Sequence, residues 1–175
     1  MHRIRPAEHR DIPDITAIYA HAVKELLVSW EYEAPSLEEM TRRYELRKGA
    51  GFPFLVTESA DGDVMGYAHV DAFNKRPGFR FTVEDSIYIA PEFRRLGVGR
   101  ALLDAIITEA TSVGFRQMIA AISLPDGDAS LALHRSLGFQ KVGEFPNIGW
   151  KRGQWLTGVY LQRTLGVGAH EPPAE

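Results

Sequence analysis

The chain has 175 residues, enough for one domain with a sizeable core, and its 45% hydrophobic and 25% charged content excludes a disordered or fibrous protein. With 20 basic against 23 acidic side chains the formal charge is −3, which gives no reason to expect nucleic acid or an anionic membrane as partner. There is no cysteine, which excludes disulfides, thiolate metal sites and a cysteine nucleophile. The first residues are polar without an apolar signal core, and no apolar run approaches the roughly 18 residues a membrane helix needs, so a cytoplasmic protein is expected.

Arg3-Ile4-Arg5 reads as a short strand stopped by Pro6. Asp11 is placed to cap a helix on which Ile12, Ile15, Ile18, Tyr19 and Ala22 recur at helical spacing. Trp30 to Pro35 reads as a loop, and Ser36 with Glu39 as a capping box opening a helix from Leu37 to about Arg47. Phe54 to Thr57 and Val64 to Ala72 read as strands joined by a hairpin turn at Asp61-Gly62. Asn74 to Gly78 is a basic loop, and Phe81 to Ala90 a long strand ended by Pro91. A helix is expected from Val98 to about Ser112, closed by Gly114, and then an apolar strand from Gln117 to Ser123. Ala129 to Leu137 reads as a short helix, with late strands near Gln140 to Glu144 and Leu156 to Arg163. Hairpins together with one strand–helix–strand crossover predict a mixed α/β sheet in a single domain over 1–165, with a disordered Gly- and Pro-containing tail over 166–175.

The segment with the most chemistry is Arg94-Arg95-Leu96-Gly97-Val98-Gly99-Arg100, between a strand and a helix. Gly97 and Gly99 let the backbone turn tightly and meet a ligand with no side chain in the way. Successive N–H groups at the positive end of a helix, with three arginines nearby, make a pyrophosphate site. The alternative is a plain helix start with solvated arginines. No Lys-Ser/Thr follows the glycines, which excludes a Walker loop, and Leu102 stands where the Rossmann pattern needs its third glycine.

Arg-x-x-Gly-x-Gly before a helix, after Ser86-Ile87-Tyr88-Ile89 and Pro91-Glu92-Phe93-Arg94, resembles the GNAT superfamily of acyl-CoA N-acyltransferases. Leu133-His134-Arg135-Ser136-Leu137-Gly138-Phe139 matches its second landmark, and Gly78 to Glu84 resembles the phosphinothricin and methionine-sulfone acetyltransferase subgroup. The resemblance runs from Ile4 to about Arg163. It implies a mostly antiparallel sheet, splayed at the cofactor and flanked by about four helices, acetyl-CoA as co-substrate, no metal, and a homodimer. It also implies that amides of Arg95, Leu96, Gly97, Val98, Gly99 and Arg100, beside Arg94, hold the CoA pyrophosphate. Backbone of Ile87, Tyr88 and Ile89 would pair with the pantetheine arm, with Asp126 and Ser130 as further cofactor contacts. Two positions depart from the subgroup pattern: Asp126 stands where an asparagine is usual, and Trp155-Leu156-Thr157 where Trp-x-Asp is.

Moving acetyl from sulfur to nitrogen needs a neutral amine and gains from a proton for the departing thiolate. Strand alternation puts Arg80, Thr82, Glu84 and Ser86 on one face and Phe81, Val83, Asp85 and Ile87 on the other. A carboxylate midway along an apolar strand is costly unless it serves something, so Glu84 is the candidate base; pairing with Arg80 or binding backbone is the alternative. In the resembling subgroup this glutamate faces the substrate amine. His134 is the candidate acid, at a helical position where many family members have a tyrosine aimed at the sulfur. Asn74, Lys75, Arg76 and Arg80 could receive a carboxylate, and Trp30, Tyr32, Phe79 and Phe81 could wall a pocket, with Asp85 and Ser86 beside Glu84. A solvated turn and ordinary core remain the alternatives for these groups. By resemblance the acceptor is a small amino acid of the phosphinothricin, methionine sulfone or methionine sulfoximine type. The competing functions are acetylation of a protein N-terminus or another amine, a non-catalytic acyl-CoA binding module, and a nucleotide-binding protein.

Overall fold

In a computed structural model, which describes residues 2–173, seven strands form one sheet in the order β1-β2-β3-β4-β5-β7-β6. The elements in chain order are β1 Arg3–Pro6, α1 Ile12–Glu25, α2 Leu37–Gly49, β2 Phe54–Glu58, β3 Val64–Ala72, β4 Thr82–Ile89, α3 Val98–Val113, β5 Gln117–Leu124, α4 Asp128–Ser136, β6 Gln140–Lys151 and β7 Gln154–Thr164. Every neighbouring pair is antiparallel except β4 and β5, which are parallel because α3 carries the chain back across the sheet. No helix among the described residues is long and apolar enough to cross a membrane. The last two residues of the expected tail, Ala174 and Glu175, lie outside the described residues.

Two cores cover the two faces. Ile12, Ile15 and Ile18 of α1 and Met40 and Tyr44 of α2 pack with Phe54, Val56 and Tyr67. On the other face Leu102, Leu103, Ile106 and Ala110 of α3, with Leu131 of α4, pack on Ala68, Val70, Val83 and Met118. Gly114 ends α3 in the left-handed region (φ 104°), a conformation a side chain would strain.

Local chemistry differs from the sequence expectation at three places. Asp11 holds the N-cap position of α1 without capping it, because its carboxylate is taken by the Arg5 guanidinium (2.7 and 2.8 Å) and the Glu8 N–H (2.8 Å). Ser36 does cap α2, accepting from Glu39 N–H at 3.1 Å, but the Glu39 carboxylate turns to Arg42 and Arg43 instead of closing the box. β6 runs seven residues past the expected Glu144, to Lys151, with a register shift between Phe145 and Gly149.

Arg5 also bonds both oxygens of Glu58 at 3.1 Å, and Arg5 and Asp11 are buried. Arg5→Met strands the Asp11 carboxylate in the interior, so unfolding should become easier by about 3–5 kcal/mol in chemical denaturation. A loss below about 1 kcal/mol would show that the cluster does not hold β1 to the sheet.

Candidate active site

The site starts from a parting of strands. β4 pairs with β5 only over Thr82–Glu84, the last rung being Glu84 opposite Ile119, while its pairing with β3 continues to Ile89. Beyond Glu84 the two strands fork, and the β5-facing edge of Asp85–Ile89 has no strand partner among the described residues. Its backbone groups are therefore available to an extended ligand carrying amides. At the open end, Arg95 (φ 63°) and Gly97 (φ 80°) take left-handed conformations that curl the backbone before α3. Gly97 has no side chain to cap the helix, and the first intrahelical bond runs from Ala101 N–H to Gly97 C=O at 3.1 Å. The N–H groups of Val98, Gly99 and Arg100 thus face outward at the positive end of a 16-residue helix. Arg94 and Arg95 are exposed beside them, and Arg100 reaches Ser136 Oγ at 2.8 Å. A diphosphate bound through backbone amides fits this cradle, and an extended arm fits the fork.

Glu84 lies on the α1/α2 face. Its cross-strand partner is Asp71, with His69 opposite Ser86 and Tyr67 opposite Tyr88 in the rungs beyond. Burial first, then the charges of Asp85 and Asp71, hold the Glu84 carboxyl above the usual carboxylate range. That is the environment of a base working nearer neutral pH. A cavity of about 110 Å³ on this face lies among Tyr19, Arg43, Arg47, His69, Ser86 and Tyr88. Burial and the nearby Arg47 hold His69 down at about 3, so it is neutral there.

Not all expected acceptor residues arrive on that face. Asp85 points to the opposite one, buried against α4, because neighbours along a strand alternate. β4 starts at Thr82, not Phe81, so Arg80 lies outside the strand and stacks 4.6 Å from the Phe81 ring, not beside Glu84. Asn74, Lys75, Arg76 and Phe79 stay exposed on the β3–β4 loop, one rung beyond Asp71 and Glu84. Among the described residues, Lys75, Arg76 and Arg80 form no salt bridge, so their charge is uncommitted. Trp30 lies over the β6–β7 ribbon; a Cβ added to Gly149 would fall 2.2 Å from its ring.

His134 does not offer a free proton. Its Nδ1 donates to the Ser130 carbonyl at 2.7 Å and its Nε2 meets Asp85 Oδ2 at 3.0 Å, and it is 1% exposed. Direct donation to a departing sulfur would have to break one of these bonds. Asp126 is likewise committed: one carboxylate oxygen accepts from Leu27 N–H at 2.8 Å, fixing the loop after α1. Ser130 faces His134, with its Oγ 3.2 Å from Nδ1.

Two residues escaped the sequence reading. Asp71 flanks Glu84 across a rung whose register is not written in either strand alone. Tyr160 of β7 pairs with Ala121, one rung pair beyond Ile119, and burial together with the Glu84 charge pushes its phenol up. Period-two alternation outward from Gln162 was the only available signal.

Comparison with known proteins agrees with this geometry. Phosphinothricin N-acetyltransferase of Alcaligenes faecalis is 41% identical over 165 residues, covering 94% of this chain and 83% of that protein. L-Methionine sulfoximine/L-methionine sulfone acetyltransferase of Salmonella typhimurium is 38% identical, covering 97% of both. The crystal structure of a GNAT superfamily phosphinothricin acetyltransferase from Sinorhizobium meliloti in complex with AcCoA superimposes with a TM-score of 0.95 at 41% identity, covering 99% of this chain and 94% of that one. The model of the acetyltransferase (GNAT) family matches residues 15–139, and with a forked sheet, a glycine-turned helix start and a half-buried glutamate at the fork, the chain belongs to that family of N-acetyltransferases.

Proposed function

We propose that this enzyme moves the acetyl group of acetyl-CoA directly to the amino group of a small amino acid of the phosphinothricin, methionine sulfone or methionine sulfoximine type. The observation that carries the reading is the position of Glu84, a half-buried carboxyl held above its ordinary range at the last rung before the fork. The pyrophosphate would lie on the N–H groups from Arg95 to Arg100, and the pantetheine arm along Ile87–Ile89. The acceptor amine would then meet the thioester at the apex of the fork, where Glu84 takes its proton. The uncommitted cations of Lys75, Arg76 and Arg80 suit an acceptor carboxylate. The full-length similarity to enzymes named for such acceptors supports the class.

The test is thiol release from acetyl-CoA across a panel of free amino acids, their methyl esters and a peptide with a free N-terminus. Methionine sulfone, methionine sulfoximine or phosphinothricin should lead, with the esters at least tenfold poorer. A panel led by the peptide would overturn the acceptor class while leaving the transferase reading in place.

The same reading includes a homodimer. β6 is an edge strand, and Val142, Phe145, Ile148, Trp150 and Trp155 lie exposed along it and its hairpin partner, with Tyr32 close by through its bond to the Trp150 carbonyl. An exposed aromatic edge of this length is an aggregation hazard unless covered, and a second copy would cover it. Sedimentation at micromolar concentration should give a dimer. A monomer that stays soluble would contradict it.

A further inference from the structure

Asp85 is the first residue past the last rung between β4 and β5, and its side chain crosses to the face opposite Glu84. There it meets His134 Nε2 at 3.0 Å, and both side chains are 2% exposed. The other ring nitrogen lies 2.7 Å from the Ser130 carbonyl, which can only accept, so Nδ1 carries a hydrogen. One further proton is therefore shared between Nε2 and the Asp85 carboxylate. The remaining oxygen, Asp85 Oδ1, is buried with no hydrogen-bond partner among the described residues, so among these the ring is what answers this charge. The Phe139 ring packs edge-on against the imidazole at 4.9 Å and adds no charge.

We propose that Asp85 is a positioning residue for acetyl transfer: tied to His134 behind the fork, it keeps a buried negative charge next to Glu84, and the imidazolium decides how strongly the base feels it. The role rests on the acetyltransferase reading above. In the transfer itself the amine lone pair forms the C–N bond at the acetyl carbon. The ammonium proton taken up by Glu84 before attack has by then passed to solvent; the C–S bond breaks with its electron pair left on sulfur, and the second, surplus proton of the attacking nitrogen goes to the freed Glu84 carboxylate. His134 gives up no proton, and the CoA thiolate takes one from solvent on release.

The surroundings leave few other groups to set this balance. Around Glu84 stand Asp71 of β3, itself paired with Arg47 and met by a neutral His69, Tyr88 of its own strand, Tyr160 of β7 and Asp85. β5 carries no ionisable side chain. Around His134 stand Asp85 from β4 and Ser130 from its own helix, while Arg100 of α3 is spent on Ser136 Oγ. Burial pushes the His134 imidazolium down, but the bond to Asp85, the charge of Asp85 and the Ser130 carbonyl push it further up. The net direction favours an ion pair. Asp85→Asn removes the anion while its amide can still donate to a neutral Nε2, so the latch survives and the charge goes. His134→Gln does the reverse, leaving the anion unanswered beside the base.

The two variants should therefore move Glu84 in opposite directions. Its carboxyl carbon can be followed by NMR through a pH titration, assigned by its disappearance in Glu84→Gln. Asp85→Asn should lower the midpoint by about half a unit to one unit, and His134→Gln should raise it by a similar amount. The kcat of Asp85→Asn near neutral pH should fall roughly three- to tenfold, since a more acidic carboxyl is a weaker base, with KM for acetyl-CoA within about twofold. Shifts of the same sign, no shifts, or shifts with an unchanged kcat would overturn the proposal. If neither variant folds, the wild-type ring decides: two protonated nitrogens by ¹⁵N NMR at pH 7 support it, and a neutral ring overturns it. A wild type that acetylates no amino acid would instead remove the reading beneath it, and the role of Asp85 in transfer with it.

Discussion

Glu84→Gln should lower kcat at neutral pH by roughly 10²–10⁴ while leaving acetyl-CoA affinity unchanged. A free α-amino group has a pKa of about 7.7–8.0, so the acceptor arrives largely as an ammonium, which has no lone pair for attack. A nearby carboxylate favours the cation on binding and then takes its proton. Without it, only solvent can deprotonate the amine, and raising the pH should restore part of the rate. Stability should move the other way. Because Glu84 is held above the usual carboxylate range, the native state keeps its proton in a window where the unfolded chain has lost one. Wild-type stability therefore falls as pH rises through that window. Glutamine has no such slope, so the variant should melt at least as high as wild type near pH 8, with the difference closing at acid pH. A variant with near wild-type kcat across the neutral range would return Glu84 to a structural role.

The second large effect belongs to the loop before α3. Gly97→Asp should weaken acetyl-CoA binding by roughly a hundredfold in calorimetry. Two causes add. A non-glycine residue at φ 80° is strained, by about 1–2 kcal/mol, and a carboxylate at a helix N-terminus competes with phosphate for the same N–H groups. A Cβ built on Gly97 meets no atom within 4 Å, so the fold itself should survive. Gly97→Asn separates the causes, since asparagine tolerates the left-handed region and carries no charge. It should lose about tenfold or less. Equal losses for Asn and Asp would assign the effect to backbone strain alone, and unchanged affinity for Asp would remove the loop from the cofactor site.

What the sequence made legible follows from how local each signal was. β3 starts and stops where expected because Gly62 and the polar residues before Phe81 punctuate it, and α3 because Gly97 and Gly114 bracket an apolar stripe. The parity of β4 was readable from alternation, so Glu84 and Val83 fall on opposite faces as expected. The partners across the sheet were not readable. Asp71 opposite Glu84, and His134 against Asp85, depend on register and on helix docking, which no local pattern encodes. β6 was expected to end near Glu144, whereas the ribbon runs on and absorbs Pro146, Asn147 (φ 56°) and Gly149 in its register shift. The fork was legible only through resemblance: nothing in β5 announces that its pairing with β4 ends after three residues.

The most direct test of the central claim follows the acetyl group itself. Acetyl-CoA labelled with ¹³C at the acetyl carbonyl is incubated with the enzyme and methionine sulfone, and the products are read by NMR. The account predicts that the label appears as an amide carbonyl on the amino acid, one for each CoA thiol released, and that Glu84→Gln slows its appearance by at least a hundredfold. Label that stays on CoA, or is found only as free acetate, would contradict it.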